Sequence, residues 1–196
     1  MKEVIIIGFG GHAKVVAEII KLNGDKVFGY LDDIKQDKTI IGKVSDCSKF
    51  VDKHFIIAIG NNQVRKKISE EHQNLKWYTA IHPTAVVSET AKIQEGTVVC
   101  ANATINADAT IGKHSIINTA AVIEHDNDIG DFCHISPNAT LCGTVTISEC
   151  THIGAGAVVR NNISIGVDIT IGIGAAVVKD LKKPGVYVGV PARKIL

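Results

Sequence analysis

A repeat of six residues runs without interruption through the second half of the chain, and no other feature restricts the fold as strongly. Stepping by six from Val87 to Val177 gives sixteen positions, all of them aliphatic. The position two residues earlier mostly holds Ala, Ser, Thr or Cys, and the position after is often Gly. Such a period fits neither an amphipathic helix nor an alternating strand. It predicts a β-solenoid, in which short strands joined by tight turns stack about 4.8 Å apart around an aliphatic interior.

Residues 1 to about 80 follow a different pattern. The segments "EVIIIG", "GGHAKVVAEIIKLNG", "KVFGYLDD" and "HFIIAIG" alternate between strand-like and helix-like spacing. This alternation is typical of a small βαβ domain with a parallel sheet. We therefore expect a Rossmann-like βαβ domain over residues 1–82, a solenoid over 83–180 and a C-terminal segment over 181–196 that contributes to cofactor binding.

Composition restricts the partners and the environment. A net charge of +1 over 196 residues gives no reason to expect a nucleic-acid partner. No stretch approaches the roughly 20 apolar residues of a membrane span, and the N-terminus shows no secretory signal. Five cysteines without a CxxC pair favour reduced thiols over a disulfide framework. We expect a cytoplasmic protein with no membrane partner.

The stretch "GFGGHA" after the first predicted strand matches the glycine pattern of dinucleotide-binding turns, with Gly8, Gly10 and Ala13 at the motif positions. Asp32 and Asp33 follow at the end of the next predicted strand, where such enzymes hold ribose. However, about 80 residues precede the repeat, fewer than the two mononucleotide-binding halves of a dehydrogenase need. The sequence therefore argues against a dehydrogenase, and the N–H groups at the helix start remain suited to a substrate phosphate or carboxylate.

The repeat units "IGKHSI", "IGDFCHI", "IGAGAVV" and "IGIGAAVV" resemble those of the hexapeptide-repeat acyltransferases. The resemblance implies a left-handed parallel β-helix shaped as a triangular prism, with three hexapeptides in each coil and about five coils in all. Residues eighteen positions apart are then expected to stack on one another.

A narrower resemblance covers the whole chain. The order "GFGGHA", "LDD", solenoid and "GVYVGVPARK" is similar to that of the sugar acetyltransferases of bacterial surface-glycan synthesis, the PglD/NeuD type. The segment "NTAAVIEHDNDIGDFCHISPNATLCG", residues 118–143, carries this likeness most specifically. The resemblance implies an N-terminal domain that binds the sugar and a solenoid that binds acetyl-CoA between the subunits of a homotrimer. Members acetylate the 4-amino group of a nucleotide-linked deoxysugar or a hydroxyl of sialic acid.

His125 is the candidate general base, because acetyl transfer needs a group that takes the nucleophile's proton. Asp126 can bond the other ring nitrogen and raise its basicity, and the resembling enzymes have Glu or Asp after this His. Gly143 is the residue stacked on His125, so we expect room for a thioester there and a backbone N–H that stabilises the oxyanion. The alternatives are a solvated polar pair on a turn and, for Gly143, a glycine that turn geometry alone requires.

His134 follows His125 by nine residues, half a coil, so the two imidazoles are expected on opposite sides of one prism. If both act, as the family pattern implies, the site lies between two subunits, and Asn118 lines the same wall as His134. We expect Asn118 to bind the substrate, and a hydrogen-bonding turn residue is the alternative. His152 stacks on His134, but the histidine spacings match no zinc site of this fold, and we expect no metal.

The resemblance also assigns the remaining binding residues. It places the nucleotide-sugar on the glycine-rich turn, the acidic pair and a later strand end, with plain turn and cap roles as the alternative: Gly10, Gly11, His12, Asp32, Asp33 and Gly60. It places acetyl-CoA beside His134 and Gly143 and along the main chain of Ala155 and Ile173.

Basic residues accumulate near the C-terminus. Five of them against Asp180 give a local charge of +4: Lys179, Lys182, Lys183, Arg193 and Lys194. We expect Lys179 and Arg193 to attract the phosphates of CoA, and a solvated tail is the alternative.

Several functions remain open from the sequence. The first is acetyl-CoA-dependent N-acetylation of a nucleotide-linked 4-amino sugar with His125 as the base, and the second is O-acetylation of a sialic-acid-type sugar by the same base. A non-catalytic, nucleotide-sugar-binding scaffold and a metal-dependent hydratase are the alternatives from other classes.

Overall fold

The N-terminal part of the chain forms a five-stranded parallel sheet in the computed structural model, which describes residues 1–196. The strand order is β3-β2-β1-β4-β5. The elements are β1 (Glu3–Ile7), α1 (Gly11–Leu22), β2 (Lys26–Leu31), β3 (Ile40–Gly42), a 3₁₀ helix (Val44–Phe50), β4 (His54–Ile57), α2 (Asn62–Glu71) and β5 (Lys76–Trp77).

The apolar run of β1 forms the centre of this sheet because it is buried on both faces. Val4 and Ile6 pack with α1, whereas Ile5 and Ile7 pack in the cluster that contains residues of α2 and the 3₁₀ helix. The strand order reverses between β1 and β4, so a crevice opens at their carboxyl ends. The glycine-rich loop after β1 and Gly60 after β4 lie at this crevice.

Three parallel sheets form the faces of a prism that occupies the rest of the chain, and each strand pairs with the strand one coil away. We call them the docked, apolar and polar faces. The docked face contains Ala80–Ile81, Val98–Val99, Ile116–Ile117, His134–Ile135, His152–Ile153, Ile169–Ile171, Gly185–Val188 and Arg193–Lys194. The apolar face contains Val86–Val87, Thr104–Ile105, Val122–Ile123, Thr140–Leu141, Val158–Val159 and Ala176–Val177. The polar face contains Lys92–Ile93, Thr110–Ile111, Asp128–Ile129, Thr146–Ile147 and Ser164–Ile165.

The turns between the faces form three edges, each named here after one residue. The His125 edge joins the apolar to the polar face and includes residues 124–127 and 142–145. The Asn118 edge joins the docked to the apolar face and includes 118–121. The Arg65 edge joins the polar to the docked face, includes 112–115 and 130–133, and is named for the side chain of α2 that binds it.

The aliphatic column predicted from the repeat forms the prism interior, where 26 buried residues make one cluster. Every sixth residue from Gly96 to Gly174 has a backbone φ of 51–73°, the left-handed region that tight turns use. Asp126 is one of these residues, with φ 58°. The turn that holds the candidate base is therefore a regular turn of the repeat.

The outward residues of the three faces differ in character. On the apolar face they carry no charge: Val86, Thr104, Val122, Thr140, Val158 and Ala176. On the polar face they include charged and hydroxyl groups: Lys92, Thr110, Asp128, Thr146 and Ser164.

The N-terminal domain covers part of the docked face. Val16 and Ile20 of α1 belong to one apolar cluster with Ala80, Val98 and Cys100 of the first coils. Helix α1 is therefore packed between its own sheet and the prism, and the two parts share a continuous core. Such burial stabilises the junction by roughly 25 cal/mol per Å² of apolar surface removed from water.

The predicted fold class, a Rossmann-like βαβ domain followed by a parallel β-helix, is confirmed. The docked face starts at Ala80 and continues through Gly185–Val188 to Arg193–Lys194, so the C-terminal strands belong to the same sheet as His134. None of the helices has the length and apolar character that crossing a membrane demands.

Candidate active site

His125 and Asp126 lie together at the His125 edge. Nδ1 of His125 is 2.7 Å from Oδ2 of Asp126, and the side chains are 59% and 56% exposed. The hydrogen bond to Asp126 raises the pKa of His125, and the weaker effect of desolvation acts in the opposite direction. With Nδ1 held as the N–H donor, Nε2 carries the lone pair that a general base uses.

Gly143 lies one coil from His125, as the spacing predicts. A Cβ at this position would meet Cε1 and Nε2 of His125 at 2.6 and 2.7 Å. The space that the glycine leaves is therefore filled by the imidazole itself and is not open to a thioester, contrary to our expectation. The N–H of Gly143 donates no hydrogen bond within the chain, so it remains free for an incoming oxygen.

Two stacked histidines lie on the docked face, far from the His125 edge. The rings of His134 and His152 are 4.8 Å apart and within 10° of parallel. Nδ2 of Asn118 lies 3.1 Å from Nε2 of His134, and Oγ of Ser136 lies 2.8 Å from Nε2 of His152. Burial, followed by the neighbouring charge of His152, lowers the pKa of His134 to about 3. Both rings are therefore neutral hydrogen-bonding groups near pH 7.

The glycine-rich loop leaves open space in front of α1. A Cβ added to Gly10, Gly11 or Gly60 would meet no atom within 4 Å. The first N–H groups of α1 have no acceptor within the helix, which favours an anionic ligand there. Nε2 of His12 is buried without a partner, and burial, followed by the charge of Arg65, lowers the pKa of His12 to about 4.

The crevice adjoins the wall formed by Asn118 and His134. The charge that His12 would carry contributes to the lowered pKa of His134, and a backbone hydrogen bond with Gly60 acts in the opposite direction. The structure therefore places His12 and Gly60, which the resemblance assigned to the nucleotide-sugar, close to His134, which it assigned to acetyl-CoA.

The two acids after β2 have different surroundings. Asp32 accepts hydrogen bonds from the N–H groups of Phe9 (2.8 Å), Ile34 (2.9 Å) and Lys35 (2.7 Å). Burial alone would raise the pKa of Asp32, but these donors lower it overall. Asp32 thus holds the glycine-rich loop in place. Asp33 accepts one bond, 3.0 Å from Val44 N, and lines a cavity of about 560 Å³ between the 3₁₀ helix and α2.

The residues assigned to acetyl-CoA occupy two parts of the prism. Ala155 and Ile173 lie on the Asn118 edge in successive coils, where Gly174 N donates to Ala155 O at 2.9 Å. Lys179 and Arg193 line one cleft of about 290 Å³ at the C-terminal end of the prism. The basic residues predicted to attract phosphates therefore lie close together.

Arg65 is a residue that the sequence did not reveal. It is 1% exposed, and it has no carboxylate partner. It donates instead to oxygens of the N-terminal domain and of the prism: Ile59 O, Gly60 O, Asn62 Oδ1, His114 O, Phe132 O and Cys133 O, all at 2.8–3.1 Å. Burial lowers the pKa of Arg65 to about 10. The side chain fixes the loop after β4 to the Arg65 edge and so sets the shape of the crevice.

A polar cleft beside the crevice was also absent from the sequence-based prediction. It measures about 290 Å³ and is lined by residues from the start of α2 and from the prism, including Asn61, Gln63, His152, Asp168 and Thr170. Three segments form it, residues 60–63, 150–152 and 168–170, and no local motif marks any of them. No group of three or more His, Cys, Asp or Glu side chains in the chain is placed to hold a metal ion.

The fold and the site together define a hexapeptide-repeat protein of the acyltransferase class. The family model described as the PglD N-terminal domain matches residues 3–72. A UDP-N-acetylbacillosamine N-acetyltransferase from Bacillus subtilis is 44% identical over 115 residues, and the match covers 52% of this chain and 52% of that protein. The chain thus spans about half the length of this curated relative, and 21% of an uncharacterised protein from Acanthamoeba polyphaga mimivirus that is 40% identical.

Solved structures match along the full length. A variant of perosamine N-acetyltransferase from Caulobacter crescentus, in complex with CoA and GDP-perosamine, is 35% identical with a TM-score of 0.94, covering 100% of this chain and 97% of that one. The acetyltransferase domain of PglB from Neisseria gonorrhoeae, in complex with acetyl coenzyme A, is 35% identical with a TM-score of 0.95, covering 99% of each chain. This chain belongs to the PglD-type family of sugar N-acetyltransferases, and the predicted family is confirmed.

Proposed function

We propose that this protein transfers the acetyl group of acetyl-CoA to the 4-amino group of a nucleotide-linked deoxysugar, with His125 as the general base. The observation that carries the proposal is the exposed imidazole of His125, held 2.7 Å from Asp126 and seated against Gly143. The raised pKa makes this ring a stronger base than the buried histidines of the docked face.

The proposed reaction is a direct transfer. The neutral amine attacks the thioester carbonyl carbon, a C–N bond forms, and the carbonyl oxygen becomes an oxyanion that the N–H of Gly143 stabilises. Nε2 of His125 takes the proton from the nitrogen, and Asp126 stabilises the imidazolium. When the intermediate collapses, the C–S bond breaks and the imidazolium returns the proton to the sulfur of CoA.

The chemistry of the acceptor is supported by the relatives. One is named as an N-acetyltransferase of UDP-N-acetylbacillosamine, and the structure of another contains GDP-perosamine together with CoA. Both are amino sugars attached to a nucleotide, so the shared feature is an amine on a sugar nucleotide. We infer an acceptor of that class for this protein.

We place the nucleotide-sugar in the crevice of the N-terminal domain. The free N–H groups at the start of α1, above Gly10 and Gly11, suit the diphosphate. Nε2 of His12 lacks a partner and suits a polar group of the substrate. Asp33 lines the neighbouring cavity and suits the nucleoside, while Asp32 keeps the loop in shape.

We further propose that the protein acts as a homotrimer that associates through its apolar faces. Those faces carry no charge, and Val86 and Val158 are exposed on them, whereas the docked face is partly covered and the polar face is charged. An uncharged, β-branched sheet face left open to water is a typical association surface. The apolar face lies between the Asn118 edge and the His125 edge, so threefold packing brings the His125 edge of one subunit next to the Asn118 edge of the next.

Acetyl-CoA would then lie in the groove between two subunits. One wall carries His125 and Gly143, and the other carries Asn118, His134 and the main chain of the turn at Ala155. The pantetheine arm of acetyl-CoA would extend past Ile173 toward Lys179 and Arg193, whose positive charges suit the CoA phosphates. The arrangement accounts for a catalytic base and a binding wall on opposite sides of one prism.

The test is an acceptor panel. The protein is incubated with acetyl-CoA and UDP-, GDP- or dTDP-linked 4-amino sugars, and CoA release is measured. The matched controls are the same sugar nucleotides with a 4-hydroxyl group, and sialic acid. We expect release with at least one amino sugar and none with its hydroxyl counterpart. Release with sialic acid alone would assign O-acetylation instead, and no release with any acceptor would contradict the proposal.

A further inference from the structure

Asn127 occupies an exceptional position in the interior of the His125 edge. The inward column of this edge contains one residue from each coil, and the other four are apolar: Ala91, Ala109, Val145 and Ile163. Asn127 is 0% exposed, and it lies in the same turn as His125. A buried amide in an apolar column costs free energy unless its donors and acceptor are satisfied.

The contacts of Asn127 join the turn that carries the base to the turn that carries Gly143. Its Nδ2 donates to Cys142 O at 3.1 Å and its Oδ1 accepts from Val145 N at 3.2 Å, which ties the two coils together. Nδ2 also donates to Glu124 O at 2.6 Å, with a longer contact of 3.5 Å to His125 O. The amide therefore braces the backbone on both sides of the proposed reaction centre.

A comparison with the Arg65 edge shows which hydrogen bonds of Asn127 are common to the repeat and which are particular to the turn of His125. Thr97, Ser115 and Thr151 occupy the equivalent inward positions there. Each donates to a carbonyl fifteen residues later and accepts from an N–H eighteen residues later, as Asn127 does. None of the three bonds a carbonyl within its own turn. The bond to Glu124 O is thus an addition confined to the turn of His125.

We propose that Asn127 is a positioning residue for acetyl transfer, which fixes the backbone of residues 124–125 so that His125 keeps its orientation between Asp126 and Gly143. The inference rests on the proposed function, because it assumes that His125 is the base. Asn127 does not touch substrate and acts through the turn. If the turn that carries His125 is mobile, the imidazole can lose its hydrogen bond to Asp126. Misplacement of the catalytic imidazole by about 1 Å lowers the rate by up to about a hundredfold.

The substitution Asn127→Ser tests this role because serine reproduces the bonds between coils, as Ser115 does, but is too short to reach back to Glu124 O. We expect kcat to fall about tenfold or more, with KM for both substrates within about twofold. The acid limb of the kcat/KM profile should also move to lower pH, because the imidazole spends less time bonded to Asp126. Glu124 and Asp126 are the charged groups adjacent to this ring.

The matched control is Thr97→Val, which removes a buried hydroxyl with cross-coil bonds at 2.8 and 3.2 Å but lies on another edge. We expect it to lower the melting temperature and leave kcat and the pH profile unchanged. Asn127→Ser with normal kcat, or a loss of kcat that both variants share in proportion to lost stability, would overturn the positioning role. His125→Ala is measured alongside: if that variant retains turnover, the proposed function itself is wrong, and the inference falls with it.

Discussion

His125 and His134 are nine residues apart in the chain, yet the fold gives them opposite surroundings. His125 stands at an edge, 59% exposed, with a carboxylate on Nδ1 that raises its pKa. His134 lies between the prism and the N-terminal domain, stacked on His152 and bonded to Asn118, with its pKa lowered to about 3. The surroundings of His125 favour protonation of its imidazole, whereas those of His134 favour the neutral form.

The difference shows how a repeat assigns separate roles to one residue type. Each coil offers outward positions on three faces and three edges, and the neighbours at those positions decide what an imidazole can do. A carboxylate in the same turn makes a base. A second domain packed over the ring removes water, which favours the neutral form and leaves a donor or acceptor for binding. The proposed base and the neutral histidine of the docked face therefore lie on opposite sides of one prism.

The largest effect is expected from His125→Ala, which removes the exposed ring. We expect kcat to fall by about 10³-fold or more, because a general base contributes roughly 10² to 10⁴ and this variant also empties the space beside Gly143. The melting temperature should change little, since the side chain is exposed. CoA release and a thermal melt measure both. Normal turnover would remove His125 from the mechanism.

The second prediction concerns the apolar face, through which we propose that His125 of one subunit approaches His134 of the next. Val158→Glu places a charge on the apolar face, where the native side chain is 44% exposed. We expect a folded monomer whose activity is lower by about 10²-fold or more, because the base and the binding wall no longer meet. Sedimentation and CoA release test it, with Thr146→Glu on the polar face as the control. An active monomer would show that one subunit contains the whole site.

The third prediction concerns the hydrogen bonds by which Arg65 joins the N-terminal domain to the prism. Arg65→Met keeps an apolar stem but leaves the oxygens that Arg65 bonds without a donor, so we expect unfolding free energy to fall by about 3 kcal/mol. KM for the nucleotide-sugar should rise as well, because the loop at Gly60 loses its anchor. The control is Lys66→Met, which removes only a solvent-exposed ion pair with Glu149 and should change stability little. Equal effects of the two variants in urea unfolding would contradict the anchoring role.

The part of the molecule that follows from a local repeat could be predicted from the sequence. Each coil repeats the same turn and the same aliphatic column, so the prism, the stacking of Gly143 with His125 and the separation of His125 from His134 all follow from counting. The docking of the two domains could not be predicted in this way. Arg65 bonds oxygens from separate segments of the chain, and nothing in a helical sequence specifies which coil that helix will contact.

The candidate site shows the same limit at finer scale. Asp32 and Asp33 are adjacent and look equivalent in sequence, but backbone N–H groups surround the first, while the second lines a cavity. The open space expected at Gly143 is taken by the imidazole, because a missing Cβ is filled by whichever neighbour is closest. The sequence shows that Asn127 is the one polar residue in an otherwise apolar column of the repeat. Its hydrogen-bond partners could be identified only from the structure.

The fourth prediction concerns the carboxylate of Asp126, which is hydrogen-bonded to the exposed ring of His125. Asp126→Asn keeps the left-handed turn, since Asn102, Asn138 and Asn162 occupy the same position in other turns. Removing the carboxylate lowers the pKa of His125 toward its ordinary value, so the acid limb of kcat/KM should move to lower pH and kcat should fall about tenfold. Asp108→Asn, at the equivalent turn position one coil away, is the control. An unshifted acid limb would show that Asp126 does not set the basicity of His125.

The smallest effect is expected on the stability of the buried ring. The folded-state pKa of His134 lies well below that of the unfolded chain, so the unfolded state binds a proton that the folded state refuses as pH falls below about 6.5. His134 therefore removes about 0.7 kcal/mol of stability between pH 7 and pH 6. His134→Gln can still accept the bond from Asn118 and cannot titrate. We expect the variant to lose less stability than the native protein over this interval in urea unfolding. An identical loss in both would mean that the docked face leaves His134 open to protonation, and the contrast with His125 would no longer hold.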